Sequence, residues 1–336
     1  MMNMHPKLKT LKIEKLFGHK DIELHFNDVT VLVGKNGLGK TTLLKILHAL
    51  LLQENCLEIE GCLFAELIFT DNHKISFENK IPPKSLNRIF TAPGGGKLSK
   101  DASALLEALI IAEKKGSFEE VTDNIKKADQ NKALSVLNEL YSFIHDSFNS
   151  DPEILNFLKN SSKIDFISTI NMSANSQQVL TGSDGRQGNL LDWEIEKEIT
   201  GLIKTSKGTH TLAFIKEVNR HFADSDKEVQ IEEGLKVITP DSKTPLPVSK
   251  LSSGERQLLY IMAKVANTKN SPAFLLMDEP EISLHLNWQE KLLDSIKTLN
   301  PNCQIVVVTH SPAIIMDGYM DSYIDMENIV VESRNV

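Results

Sequence analysis

The run Gly34-Lys35-Asn36-Gly37-Leu38-Gly39-Lys40-Thr41 has the make-up of an anion cradle. Three glycines at this spacing let backbone N–H groups turn toward one point, which bulkier residues resist. A helix starting at the end of such a loop adds the positive end of its dipole. Lys40 brings a mobile cation and Thr41 a hydroxyl, the pair that a polyphosphate and its divalent counter-ion call for, and Thr42 follows within the first helical turn. A second run, Phe274-Leu275-Leu276-Met277-Asp278-Glu279-Pro280, leads four apolar residues into two adjacent carboxylates. Asp278 suits a hydrated divalent cation, and Glu279 suits the proton of a water molecule. Taken alone, the run is equally an acidic turn after a core strand. Beside a phosphate cradle the chemical reading takes precedence.

Two further runs carry chemistry. Leu251-Ser252-Ser253-Gly254-Glu255-Arg256-Gln257 opens a helix: Ser252 and Glu255 have capping-box spacing, and Leu258, Leu259, Met262 and Val265 follow along one apolar face. A serine-bearing helix start is also an anion site. Because the glycine loop already serves this chain's phosphates, the terminal phosphate held by a second chain is the expected ligand. The fourth run, Ile305-Val306-Val307-Val308-Thr309-His310-Ser311, delivers one histidine to the end of a β-branched strand. A lone histidine there is usually structural. Ligands of open α/β sheets, however, gather at the carboxyl ends of strands. With the Asp278 strand as its neighbour, His310 is expected to sense the terminal phosphate.

These side chains need elements to position them. Residues 8–26 alternate apolar and charged types, which predicts two antiparallel strands turning near Gly18 and His19. Residues 29–33 form a short β-branched run suited to a buried strand. Residues 41–47 read as a helix, and 56–80 as a strand meander. From 99 to 160 the pattern becomes helical, with Leu105, Leu106, Leu109 and Ile110, then Leu134, Leu137, Leu140 and Ile144. This predicts a helical insertion that packs on the core and touches a partner. A strand over 163–170 returns to the core. A polar loop with Gly182, Gly185 and Gly188 follows, then helix over 190–222. Residues 228–250 read as a short hairpin with a proline-rich exit through Pro240, Pro245 and Pro247. Residues 274–277 and 305–308 are continuous apolar runs, as expected of central parallel strands. The chain therefore divides into an N-terminal lobe with the glycine loop (1–96), the insertion (97–162) and a C-terminal lobe (163–336).

The 336 residues suffice for a sizeable core, and 41% apolar with 24% charged residues is ordinary globular composition. A net charge of −8 argues against binding nucleic acid by charge alone, although a local basic stripe is compatible with it. Cys56, Cys62 and Cys303 are odd in number and form no Cys-x-x-Cys pair, which disfavours structural zinc and a disulfide framework and fits a reducing cytoplasm. The first residues lack a signal-peptide core, and no stretch is long and apolar enough to span a bilayer, so no membrane role is expected of this chain.

Together the four runs resemble the ABC ATPase superfamily. On that resemblance, 34–41 is its Walker A motif, 251–257 its signature motif, Asp278-Glu279 its Walker B pair and His310 its switch histidine. The stretches LSSGERQLLYIMAKV, FLLMDEPEISLHLNWQ and VVVTHSPAII are similar to AAA15/AAA21-type members. These are related to OLD, RecF and SMC heads and are common in bacterial anti-phage systems of the Septu, retron and PARIS kinds. The resemblance covers 8–80 and 163–325. It implies an α/β fold: an ABC-type P-loop NTPase head with a mixed central sheet, an antiparallel β subdomain and a helical insertion.

The same resemblance implies ATP and Mg²⁺ as ligands. Gly34, Lys35, Asn36, Gly37, Leu38, Gly39, Lys40, Thr41 and Thr42 would hold the nucleotide, and Thr41 and Asp278 the metal. Glu279 and His310 would act in hydrolysis. Ser252, Ser253, Gly254 and Glu255 would meet the nucleotide of a second copy, in an ATP-sandwich dimer or higher oligomer. The family's loop glutamine would fall near Gln177 or Gln178, while Phe17 and His19, in position to pack on the adenine, read first as ordinary strand-end side chains. His285 stands where many members carry an aspartate, which departs from the usual coupling across the dimer. The chain leaves no room for a Toprim domain after His310, and no HNH-like histidine cluster is visible. A separate effector such as a nuclease is therefore the expected partner, with nucleic acid reached through that complex. The rival expectations are a RecF- or SMC-like repair or chromosome-maintenance head, which sustained heptads would favour and this sequence lacks, and a non-catalytic ATP-binding scaffold, which the intact Glu279 opposes. A transporter head is disfavoured by the long insertion.

Overall fold

The computed structural model describes residues 5–79, 148–169, 172, 179–181, 187–205, 208–232, 234–240 and 242–332. Most of the expected insertion lies outside these residues, as do Gln177, Gln178, Gly182 and Gly185.

The alternation of residues 8–26 becomes β1 (Leu8–Leu16) and β2 (Lys20–His25), an antiparallel pair with Leu11 opposite Leu24 and Ile13 opposite Ile22. The apolar positions point inward and the charged ones outward, as a one-sided sheet requires. β3 (Val29–Val33) runs into the glycine loop and α1 (Lys40–Leu52). The meander expected over 56–80 opens instead with one helical turn, α2 (Leu57–Glu60), before β4 (Phe64–Phe69) and β5 (Lys74–Glu78). At the described end of the segment expected to be helical, β6 (Phe148–Ser150) pairs with β5 and precedes α3 (Pro152–Asn160). Three residues are too few to show a period, but Phe148 faces Phe77 across the pair with ring centroids 5.2 Å apart. β7 (Lys163–Ser168), β8 (Val179–Thr181) and β9 (Gln187–Asn189) then lead to α4 (Leu190–Thr205) and α5 (Thr209–Phe222).

The hairpin expected over 228–250 has a third strand: β10 (Glu228–Ile231), β11 (Leu235–Thr239) and β12 (Ser242–Leu246) form an antiparallel sheet. The final third alternates helix and strand: α6 (Ser253–Asn267), β13 (Ala273–Asp278), α7 (Leu286–Leu299), β14 (Cys303–Val308), β15 (Tyr323–Asp325), α8 (Met326–Ile329) and β16 (Val330–Glu332).

Parallel and antiparallel strands segregate. One sheet is parallel throughout, in the order β15-β3-β14-β13-β7, and a second is antiparallel, in the order β16-β2-β1-β4-β5-β6. This is an α/β head with an antiparallel subdomain. β13 and β14 are buried along their whole length, which is why their sequences run apolar without alternating. Their two faces serve two cores. Leu275, Met277, Ile305 and Val307 pack with α6 and α7, whereas Phe274, Leu276, Val306 and Val308 pack with α1. Each fully buried aliphatic side chain of this kind contributes roughly 1.5–3 kcal/mol.

A buried polar residue in β14 ties the sheets together. Gln304 accepts from Leu8 N at 2.7 Å and donates to Leu8 O at 3.0 Å and Asn27 O at 2.9 Å. Its amide stands in for a strand neighbour at the entry of β1.

Candidate functional site

The glycine loop is shaped by backbone that only glycine adopts readily: φ is 142° at Gly34, 84° at Gly37 and 93° at Gly39. No side chain caps α1, so the N–H groups of its first turn are left to an anion. Lys40 is buried and folds back along the loop, donating to Gly34 O at 2.8 Å and Lys35 O at 3.1 Å. Burial lowers the pKa of its ammonium, against the pull of the Glu279 and Asp278 charges. Lys35, Asn36 and Gly37 are exposed. Lys35 pairs with Glu327 at 2.9 Å, and Leu38 packs inward.

Residues 237 positions apart meet at the loop's end, where Thr41 Oγ1 donates to Asp278 Oδ1 at 3.0 Å. Asp278 closes β13, and burial pushes its pKa up despite the Thr41 hydrogen bond. A desolvated carboxylate beside a hydroxyl offers hard oxygen donors to a cation. That donor set fits Mg²⁺, which keeps much of its water and takes few protein ligands. Among the described residues no cluster of three or more His, Cys, Asp or Glu is arranged to hold a metal alone.

Glu279 lies just beyond, with φ 52°, a left-handed conformation unusual for a residue with a side chain. Its N–H donates to Val308 O at 2.8 Å, and its carbonyl accepts from the Thr169 hydroxyl. Its carboxylate comes within 3.5 Å of His310 Nε2. The register explains this: Asp278 lies opposite Val308 of β14, so the residues that follow the two strands end side by side. The backbone N–H of His310 donates to Glu281 Oε1 at 2.8 Å. Glu281 is buried, and its other oxygen has no hydrogen-bond partner.

At α6, Ser252 and Glu255 form the expected capping box, with Ser252 N to Glu255 Oε2 at 2.8 Å and Glu255 N to Ser252 Oγ at 3.3 Å. Lys227 Nζ takes the other Glu255 oxygen at 2.6 Å. Burial works to raise the Glu255 pKa, but the Lys227 ammonium and the Ser252 amide hold it below its ordinary value. Both of its oxygens are thus committed within the chain, and Ser252 and Ser253 are the exposed members of the motif.

This helix grips the turn after β13. Gln257 Nε2 donates to Pro280 O at 2.5 Å, and Gly254 passes so close to that turn that a Cβ there would lie 2.2 Å from Ser283 O. Gln289 of α7 donates to Leu284 O at 2.9 Å and accepts from the Ser311 hydroxyl at 2.6 Å. Thus 251–257 is brought to the Asp278-Glu279 turn but not to the glycine loop. α6 and α1 bury their apolar faces in different cores on opposite sides of the parallel sheet, and among the described residues no hydrogen bond joins the two motifs.

Phe17 is 54% exposed on the β1–β2 turn, and its carbonyl meets His19 Nδ1 at 3.0 Å. Leu16, one residue earlier, approaches Gly39, so the turn borders the glycine loop. His285 precedes α7 and sets its ring edge-on to Trp288, with centroids 5.5 Å apart. Thr169, Glu281 and Gln289 have no role assigned from sequence, and Gln257 figures there only as the last residue of the 251–257 run. Thr169, Gln257 and Gln289 bind carbonyls of the turn and Glu281 accepts from the His310 amide, tasks with no fixed residue type or spacing.

A family model described as "AAA domain, putative AbiEii toxin, Type IV TA system" matches residues 29–317. The chain is 29% identical over 91 residues to the "Retron Ec83 probable ATPase" of Escherichia coli, covering 24% of this chain and 17% of that protein. It is 25% identical over 126 residues to the "Retron Vc95 probable ATPase" of Vibrio cholerae serotype O1 biovar El Tor, covering 29% and 24%. The match therefore spans less than a quarter of the length of either curated relative. Among solved structures, an Smc head bound to the C-winged helix domain of ScpA overlays with a TM-score of 0.46 at 15% identity, covering 92% of each chain.

Proposed function

The chain belongs to the AAA domain family whose description names a putative AbiEii toxin of a type IV toxin–antitoxin system, and from that premise we propose that it hydrolyses ATP with Mg²⁺ as a pair of identical heads. The observation that carries the hydrolytic reading is the convergence of Lys40, Thr41, Asp278, Glu279 and His310 where β3, β13 and β14 end. In this reading the loop N–H groups of residues 34–42 and the Lys40 ammonium hold the β- and γ-phosphates. Thr41 and Asp278 hold Mg²⁺, which neutralises charge on the phosphates when bound. Glu279 takes the proton of the attacking water, and His310 orders the terminal phosphate.

The paired arrangement is supported by the two faces of the parallel sheet. The helix that Ser252 opens packs on the opposite face of the parallel sheet from α1 and makes no hydrogen bond to the glycine loop among the described residues, so Ser252, Ser253 and Gly254 are assigned to the terminal phosphate of a second copy. Glu255 serves that site through the cap. Closure of the pair on ATP then licenses or restrains a separate effector, of which a nuclease is the kind expected, in anti-phage defence. The names of the two retron ATPases support the defence setting and the ATPase reading, not the identity of the effector. The segment 97–162 is the proposed contact for that effector, and any nucleic acid is engaged through the complex. Among the described residues no helix is long and apolar enough to cross a membrane.

Mixing two inactive chains tests the pairing. Ser252→Arg obstructs the phosphate of the other subunit, and Lys40→Ala removes the phosphate-facing cation of its own. Each chain alone should be inactive, with Ser252→Arg still binding ATP. After subunit exchange, a mixed pair contains one intact composite site. ATPase rate should therefore rise at intermediate mixing ratios. Loss of ATP binding by Ser252→Arg alone, or no rescue despite verified exchange, would reduce 251–257 to a helix cap.

A further inference from the structure

We propose that Thr169 is the positioning residue for Glu279, its hydroxyl fixing the left-handed backbone that turns the Glu279 carboxylate toward His310. The inference rests on the reading of Glu279 as the base. Thr169 follows directly on β7, whose last residue, Ser168, lies opposite Asp278 in the parallel register. It is therefore level with Glu279 and is only 4% exposed. Its Oγ1 has two acceptors in reach, Asp278 O at 3.3 Å and, closer, Glu279 O. A hydroxyl has one proton, so the nearer carbonyl is its main partner.

The geometry gives this contact its purpose. In a continuing parallel strand the Glu279 carbonyl would stay in the ladder and take a backbone N–H from a neighbour. At φ 52° the residue has left the ladder. Its N–H is still held on one side by Val308 O at 2.8 Å, from the strand that leads to His310. Its carbonyl is held on the other side by a side chain doing the work of the missing amide. The two flanking strands thus grip one residue from both sides, and the carboxylate is set by that grip at 3.5 Å from the imidazole. Removing the hydroxyl strands the carbonyl and frees the residue to relax toward the right-handed region, which swings the carboxylate off its line.

Thr169→Val is nearly isosteric and removes only the hydroxyl, and Thr169→Ser restores it. The purified full chain is assayed for kcat and KM with ATP and Mg²⁺, for ATP affinity by calorimetry and for melting temperature. A misplaced base should lower kcat of Thr169→Val by about 10- to 100-fold, with ATP affinity held to within about threefold. Thr169→Ser should recover most of the loss. If Thr169→Val does not fold, Thr169→Ala removes the hydroxyl together with the γ-methyl and is compared with Thr169→Ser, which lacks the same methyl and keeps the hydroxyl. The proposal is overturned if the hydroxyl-free variant turns over like wild type, if Thr169→Ser is equally impaired, or if affinity and melting temperature fall along with kcat. Glu279→Gln, measured alongside, separates the two levels. Turnover surviving in Glu279→Gln sinks the base reading itself, whereas loss in Glu279→Gln with none in Thr169→Val sinks only the clamp.

Discussion

A glutamate held in the left-handed region costs about 1–2 kcal/mol of backbone energy, and Glu279 is held there between two strands. Such a residue is kept in place by its surroundings, and this one faces the His310 imidazole beyond the end of β14. Glu279→Gln keeps the shape and removes the proton acceptor. It should bind ATP as wild type does, lose at least about 10²-fold in turnover, and accumulate the closed pair in light scattering with ATP and Mg²⁺. Equal turnover by the two proteins would show that another group takes the proton. That Lys40, Thr41, Asp278, Glu279 and His310 would meet was legible in the sequence, because the roles proposed for them depend on side-chain chemistry at fixed spacing. Thr169 and Glu281 were hidden because they act on a carbonyl and an amide, targets that many polar residues could serve from many positions. Glu255 was legible as a cap residue. Its pairing with Lys227, which turns its charge inward, depends on a strand entry that no local pattern announces.

Between elements, α6 approaches the turn after β13 so closely that main chain meets main chain at Gly254 and Ser283. A methyl group there would lie 2.2 Å from a backbone oxygen, and no rotamer relieves it. Gly254→Ala should therefore push the helix start away from the turn, costing about 1–3 kcal/mol of stability and most of the turnover. Urea midpoints and ATPase rates measured on the same preparation would check both. An alanine variant with wild-type stability and rate would mean that the gap opens freely. The helix itself was plain from its capping box and apolar spacing. The elements misjudged from sequence were those without a period to read. β6 has three residues, α2 is a single turn, and β12 carries Ser242, Lys243, Thr244 and Pro245 in place of an alternating pattern. Their partners, not their composition, make them regular.

Across the whole molecule, the two largest sheets draw their strands from the chain in an interleaved order. Gln304 is the polar link between them, joining residues 296 positions apart. Gln304→Leu would leave Leu8 N, Leu8 O and Asn27 O without that partner, at a cost of about 2–4 kcal/mol. The fall should appear as a lower urea midpoint with an unchanged slope. A neutral result would mean that water or β4 takes over the bonds. The interleaving also bears on how the molecule is made. β3, which delivers the glycine loop, lies between β14 and β15. The ribosome releases the loop early and both of its flanking strands near the end, a delay on the order of tens of seconds at usual elongation rates. Until then the loop has no sheet to stand on and Thr41 has no aspartate to meet. A nascent or prematurely terminated head thus lacks the assembled site, and only a chain translated past β15 can bring together the residues proposed to carry ATP hydrolysis.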